Sequence, residues 1–200
     1  MKKLIVLAAA VIALAAFTQQ SGYKPGDQAR DFNLKNIDGR NVSLADYKNA
    51  KGFIVVFTCN HCPYAIKYED RINALNIKYK SLGYPVIAIN SDDSISDDED
   101  SYTNMQIRAK EKGFTFPYLL DGTQEIAKTY GATKTPHVYV LQKENSELIV
   151  KYIGAIDDNT DDASAVKQKY VELAVDALLV GKDVAINYTK AIGCTIKWKN

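Results

Sequence analysis

The chain has 200 residues, with 25 lysines and arginines against 24 aspartates and glutamates, for a formal charge of +1. Such a balance offers nucleic acid no polyelectrolyte surface, and no nucleic-acid partner is expected. Three cysteines are too few for a disulfide-stapled scaffold, so cysteine chemistry has to come from a local motif.

The chain opens Met1-Lys2-Lys3 and then runs uncharged from Leu4 to Ser21. A basic start, an apolar stretch and small residues after it read as a signal peptide over residues 1–20, with cleavage near 18–21; Ala16-Phe17-Thr18 offers a small-x-small site. The run is short for a membrane span and ends in polar residues. No cysteine in or just after it could accept a lipid. The expected mature protein is exported, periplasmic or secreted, with no membrane span. About 180 residues remain, enough for one well-buried domain. We place that domain at 23–186, followed by a C-terminal tail at 187–200.

Asp38-Gly39, between Phe32/Leu34 and Val42/Leu44, signals an N-terminal β-hairpin. Gly52 to Thr58 is a short, continuously apolar strand suited to the middle of a sheet covered on both faces. From Pro63 to Leu82, Ala65, Tyr68, Ile72, Leu75, Tyr79 and Leu82 recur at helical spacing. Proline suits the first turn of that helix. Val86 to Ile89 reads as the next buried strand, which makes the opening a parallel βαβ unit. Helices are expected over Tyr102–Lys112 and Thr123–Tyr130, each stopped by the glycine that follows. His137–Leu141 and Leu148–Ile153 read as an antiparallel strand pair. A last amphipathic helix uses Val171, Ala174, Val175 and Leu178, with Gly181 as its stop. The order predicts an α/β sandwich: a central mixed sheet flanked by helices.

Cys59-Asn60-His61-Cys62-Pro63 lies at the junction of the apolar strand and the long helix. That placement puts the first sulfur at a helix N-terminus, where peptide dipoles and free N–H groups favour a thiolate. Cys59 is therefore expected to be the exposed, attacking sulfur, and Cys62, within the helix, the resolving one. Asn60, His61 and Pro63 would tune the couple; a protonated imidazole beside the thiolate would make the disulfide more oxidising. Acidic runs at Asp92–Asp100 and Asp157–Asp162 lack the glycine and glutamate spacing of a calcium loop and read as solvated.

Together, Cys-x-x-Cys at a strand–helix junction, Thr135-Pro136 opening a later strand, and Phe116-Pro117-Tyr118-Leu119-Leu120-Asp121 resemble the thioredoxin superfamily. The segments Gly26-Asp27-x-Ala29-x-Asp31-Phe32 and Asp38-Gly39-x-x-Val42-Ser43-Leu44 are similar to the start of its redoxin branch, the alkyl hydroperoxide reductase/thiol-specific antioxidant-like proteins. The resemblance implies a thioredoxin-like sandwich in which Pro136 is cis and faces the cysteines, while Thr135 binds an extended substrate strand. It further implies protein thiol and disulfide substrates, a thiol-protein or membrane electron donor, and no cofactor beyond the redox-active disulfide Cys59–Cys62.

The departures from that pattern are specific. Thr58 stands where thioredoxins carry tryptophan, and Lys51 to Lys67 contains no carboxylate to serve as the buried proton acceptor. Proton transfer would then fall to water, His61 or His137. A peroxiredoxin places threonine or serine three residues before its reactive cysteine; here that position is Val56. Three readings follow: thiol-disulfide oxidoreductase first, then a thiol peroxidase using Cys59, then a copper or zinc module using Cys59, Cys62 and His137. Cys194 is either a buried small hydrophobe packed by Ile192, Ile196 and Trp198, or an accessory thiol such as a second resolving cysteine.

Overall fold

Phe53-Ile54-Val55-Val56-Phe57 is apolar on both faces of the pleat, so this strand has to be covered from both sides. In the computed structural model, which describes residues 22–94 and 98–199, it lies inside a seven-stranded mixed sheet and all five side chains are fully buried. The expected signal peptide at 1–20 lies outside the described residues.

In chain order the strands and helices are β1 (Asn33–Asn36), β2 (Asn41–Ser43), β3 (Gly52–Phe57), α1 (Pro63–Tyr79), β4 (Val86–Asn90), α2 (Tyr102–Glu111) and β5 (Tyr118–Leu120). There follow α3 (Glu125–Tyr130), β6 (Lys134–Thr135), β7 (His137–Glu144), β8 (Glu147–Gly154), α4 (Tyr170–Leu179) and β9 (Cys194–Thr195). The large sheet runs β2-β1-β5-β4-β3-β7-β8, with β3, β4 and β5 parallel and the other pairings antiparallel. The predicted hairpin, βαβ unit and late antiparallel pair are all present.

Alternation along β3 divides the core in two. Ile54 and Val56 pack with Tyr68, Ile72 and Leu75 of α1 and with Val171, Ala174 and Val175 of α4. Phe53, Val55 and Phe57 pack on the other side with Phe32, Leu44 and Ile126, Ala127 and Tyr130 of α3.

The structure corrects the sequence in three places. Strand β5 was not predicted as a strand; three residues are too few to show a period. Strands β6 and β9 form a separate two-stranded sheet joining Lys134 to Thr195 and Thr135 to Cys194, too far apart in the chain for local pattern to reveal. The second acidic run is only partly solvated. Asp161 and Asp162 are exposed, but Asp157 is buried, accepting Tyr68 Oη–H at 2.8 Å and the Arg71 guanidinium at 2.7 Å.

Gly52 opens β3 at a close approach. A Cβ there would stand 2.1 Å from the Leu141 carbonyl oxygen and 2.3 Å from the Tyr84 ring. We expect Gly52→Ala to lower unfolding free energy by about 1–3 kcal/mol, read from the midpoint of a urea titration.

Candidate active site

Thr58 N–H still pairs with Ile89 O (2.9 Å) beyond the end of β3, and the chain then turns through Cys59-Asn60-His61. Pro63 decides where the helix starts. A residue before proline is pushed out of the helical region, and Cys62 is extended, with φ −68° and ψ 121°. Cys62 is therefore the N-cap of α1 rather than a helical residue, and it, not Cys59, takes the helix N-terminus. The expectation that the first sulfur would sit there is corrected.

Thr135 bridges the two sulfurs. Cys59 Sγ lies 3.2 Å from Thr135 Oγ1, and Cys62 Sγ–H donates to Thr135 O at 3.1 Å. The Thr135–Pro136 peptide bond is cis, as the resemblance implied. All three cysteines are present as thiols. Cys59 was expected to be exposed but retains only 3% exposure, and Cys62 none. The reason is β9, which pairs antiparallel with β6 across the Thr135 edge and lays Cys194 against Cys62. The edge expected to receive a substrate strand is occupied by the chain's own tail. Of the residues expected to pack Cys194, only Ile196 is buried; Ile192 and Trp198 are exposed.

The two thiols differ in acidity. Cys59 is pushed far up by its hydrogen bond to Cys62, then by burial, then by the nearby carboxylates of Asp92 and Asp100. Cys62 is pulled down by the same contact with Cys59, helped by Cys194 and by the Ala65 and Cys194 amides; Cys194 N–H lies 3.4 Å from its sulfur. Cys62, at the start of α1, is thus the more acidic of the two thiols.

The residues between the cysteines are anchored to the loop after β4. Asp100, fully buried, accepts Asn60 N–H at 2.7 Å and Asn90 Nδ2–H at 2.9 Å through Oδ1, while its Oδ2 pairs with His61 Nδ1. Asn60 also receives Tyr118 Oη–H (3.0 Å) and donates to Glu99 O (2.7 Å). His61 is therefore held by a carboxylate.

Asp92, 4% exposed, accepts Lys197 N–H at 2.5 Å through Oδ1. Its buried Oδ2 has no hydrogen-bond partner among the described residues, and burial raises its pKa. One ligating atom each from Cys59, His61, Asp92 and Asp100 lies within 4.8 Å of the others. The first acidic run, read as solvated, thus supplies the carboxylates that the segment Lys51–Lys67 lacks. The only trace of this in the sequence is that the run follows directly on a buried strand.

His137 does not join Cys59 and Cys62 as a ligand set. Its partner across the sheet is Phe57, its ring lies 4.9 Å from that of Tyr139, and its Nδ1 accepts only a long 3.5 Å contact from Thr133 N–H.

Residues 25–156 match the model of the AhpC/TSA family. The chain belongs to that family. Its relatives include the thiol-disulfide oxidoreductase ResA of Bacillus thuringiensis subsp. konkukian, 28% identical over 130 residues, which cover 64% of this chain and 69% of that protein. Among solved structures, an uncharacterized conserved protein from Geobacillus kaustophilus is 39% identical with a TM-score of 0.81, covering 88% of this chain and 93% of that one. A hypothetical protein from Sinorhizobium meliloti 1021 is 33% identical with a TM-score of 0.82, covering 89% and 96%. This AhpC/TSA member has no helix, among the described residues, long and apolar enough to cross a membrane.

Burial holds His137 at a pKa of about 4 against an ordinary 6.5. The unfolded chain therefore takes up this proton first, and stability falls as pH drops from about 6.5 to about 4. The loss is at most about 3 kcal/mol. Urea titrations across that range should show the decline, and His137→Gln should remove this part of it.

Proposed function

We propose that this chain is an exported thiol-disulfide oxidoreductase that exchanges disulfides with protein substrates through Cys59 and Cys62. The observation that carries the reading is the pair itself: two buried thiols in mutual contact, both bonded to Thr135 beside the cis peptide bond. The name of the ResA relatives supports the same reaction class.

Cys59 attacks the substrate disulfide once its proton has left, and Asp92 is the group to take it. Its carboxylate is close to the sulfur, has an oxygen without another hydrogen-bond partner among the described residues, and is made more basic by burial. One substrate sulfur leaves as a thiolate and receives a proton; the other is held on Cys59. Cys62, the more acidic thiol, then attacks Cys59 Sγ, expels the second substrate thiolate and closes Cys59–Cys62. Two electrons have passed to the substrate. A thiol protein, fed through the membrane, restores the dithiol, and no organic cofactor takes part. If the couple is instead strongly oxidising, the same steps run backwards and the protein donates disulfides. A reduction potential near about −270 mV would mark the first direction, one near about −120 mV the second.

In an assay of protein disulfide reduction, Cys59→Ser should abolish turnover, and Cys62→Ser should accumulate mixed disulfides with substrate. Asp92→Asn should slow the step about a hundredfold while leaving the fold intact by circular dichroism. Full turnover by Cys59→Ser would end this reading.

A further inference from the structure

The C-terminal strand is placed as a substrate strand would be. Thr135 is paired with Cys194 and Lys134 with Thr195, antiparallel, and Ile196 N–H donates to Thr133 O at 3.2 Å. Gly193 lets the backbones meet this closely: a Cβ there would lie 2.1 Å from Thr135 O. Lys134 Nζ reaches Thr195 Oγ1 at 2.9 Å. Beyond the strand, Ile196 is buried in the core, and Lys197 is clamped by Asp93 N–H (3.0 Å) and Gln124 Nε2–H (2.7 Å) on its carbonyl and by Asp92 on its amide.

The residue that this docking presents to the redox pair is a cysteine. Cys194 packs on the cluster of Cys59, Cys62 and Ala65, its amide pointing at Cys62 Sγ. Cys62 touches both other thiols, since its sulfur also contacts that of Cys59. A buried hydrophobe would need none of this alignment.

We propose that Cys194 is a third redox thiol, carried on a built-in substrate strand, and that it exchanges with the Cys59–Cys62 disulfide to form Cys62–Cys194. In the exchange, the Cys194 thiolate attacks Cys62 Sγ. The Cys62–Cys194 bond forms, the Cys59–Cys62 bond breaks, and Cys59 leaves as a thiolate that takes up the proton Cys194 gave away. The number of disulfides and of electrons is unchanged, so the step needs no outside oxidant. Its effect is to release Cys59 while the protein remains oxidised. The inference rests on the disulfide-exchange reading above.

The test is disulfide mapping of the full chain. Protein oxidised with diamide is alkylated under acid quench and digested with trypsin without reduction. Cleavage after Lys51, Lys67, Lys190 and Lys197 leaves Cys59 and Cys62 together in peptide 52–67 and Cys194 in peptide 191–197. In the wild type we expect two species: peptide 52–67 with an internal disulfide, and 52–67 joined to 191–197. Cys59→Ser, which cannot form the first disulfide, should give the joined peptides alone as a monomer, and adding Cys194→Ser should abolish them. Wild-type protein holding only the internal disulfide would overturn the proposal. So would Cys59→Ser protein in which Cys194 stays free or is linked only between chains. Failure of the exchange reading looks different: wild-type protein would then form no disulfide within peptide 52–67.

Discussion

Thr135 is the residue on which the redox centre turns. Its hydroxyl meets Cys59, its carbonyl accepts Cys62, and its outer edge pairs with Cys194. Three segments far apart in the chain thus meet at one backbone position. A strand edge is an unsatisfied row of donors and acceptors, and something has to cover it. Here the cover is the tail, which explains why a Cys-x-x-Cys pair that sequence alone would leave exposed is buried.

The electrostatics follow from the same closure. Water is kept from the sulfurs, so nearby charges act on them at short range and with little screening. Asp100 is tolerated at full burial because Asn60, Asn90 and His61 all engage it. Asp92 is a different case: one oxygen is tied to the tail, and the other has no hydrogen-bond partner among the described residues. A buried polar atom without a partner costs free energy that no packing argument recovers. Such an oxygen beside a thiol suits the proton acceptor proposed above. Proline, meanwhile, moves the helix start to Cys62, and the contact between the two sulfurs draws Cys62 down and Cys59 up, burial and the Asp92 and Asp100 carboxylates pushing Cys59 further.

Much of this fold could be read from pattern. The doubly apolar β3, the helical spacing of α1 and the glycine stops each report a local preference that the tertiary structure obeys. The motif was legible for the same reason, as was the cis bond once the resemblance to redoxins was in hand. What could not be read depends on contacts between distant residues. Asp92 and Asp100 are acidic loop residues in any window of sequence, and only the path from β4 to α2 turns them inward. Strand β9 is two residues long and pairs with another of two, below any periodic signal. Even the helix boundary at Cys62 was readable in principle, because Pro63 constrains the residue before it; the expectation drawn from the strand–helix junction overlooked that constraint.

The docked tail also bears on which proteins could reach the centre. An incoming strand would have to displace β9, giving up its few backbone hydrogen bonds at about 1 kcal/mol each and the burial of Ile196, worth about 2 kcal/mol. The newcomer makes the same backbone pairing, so that part of the exchange cancels. What does not cancel is tethering: a linked segment competes at an effective concentration in the millimolar range. A free strand offering backbone alone therefore loses to the tail at ordinary protein concentrations. A successful partner has to add side-chain contacts around the edge or bring a disulfide reactive enough to trap Cys59 during a brief opening. Selectivity among disulfides would then reside in what flanks the Thr135 edge, with the cysteine pair itself indifferent to sequence.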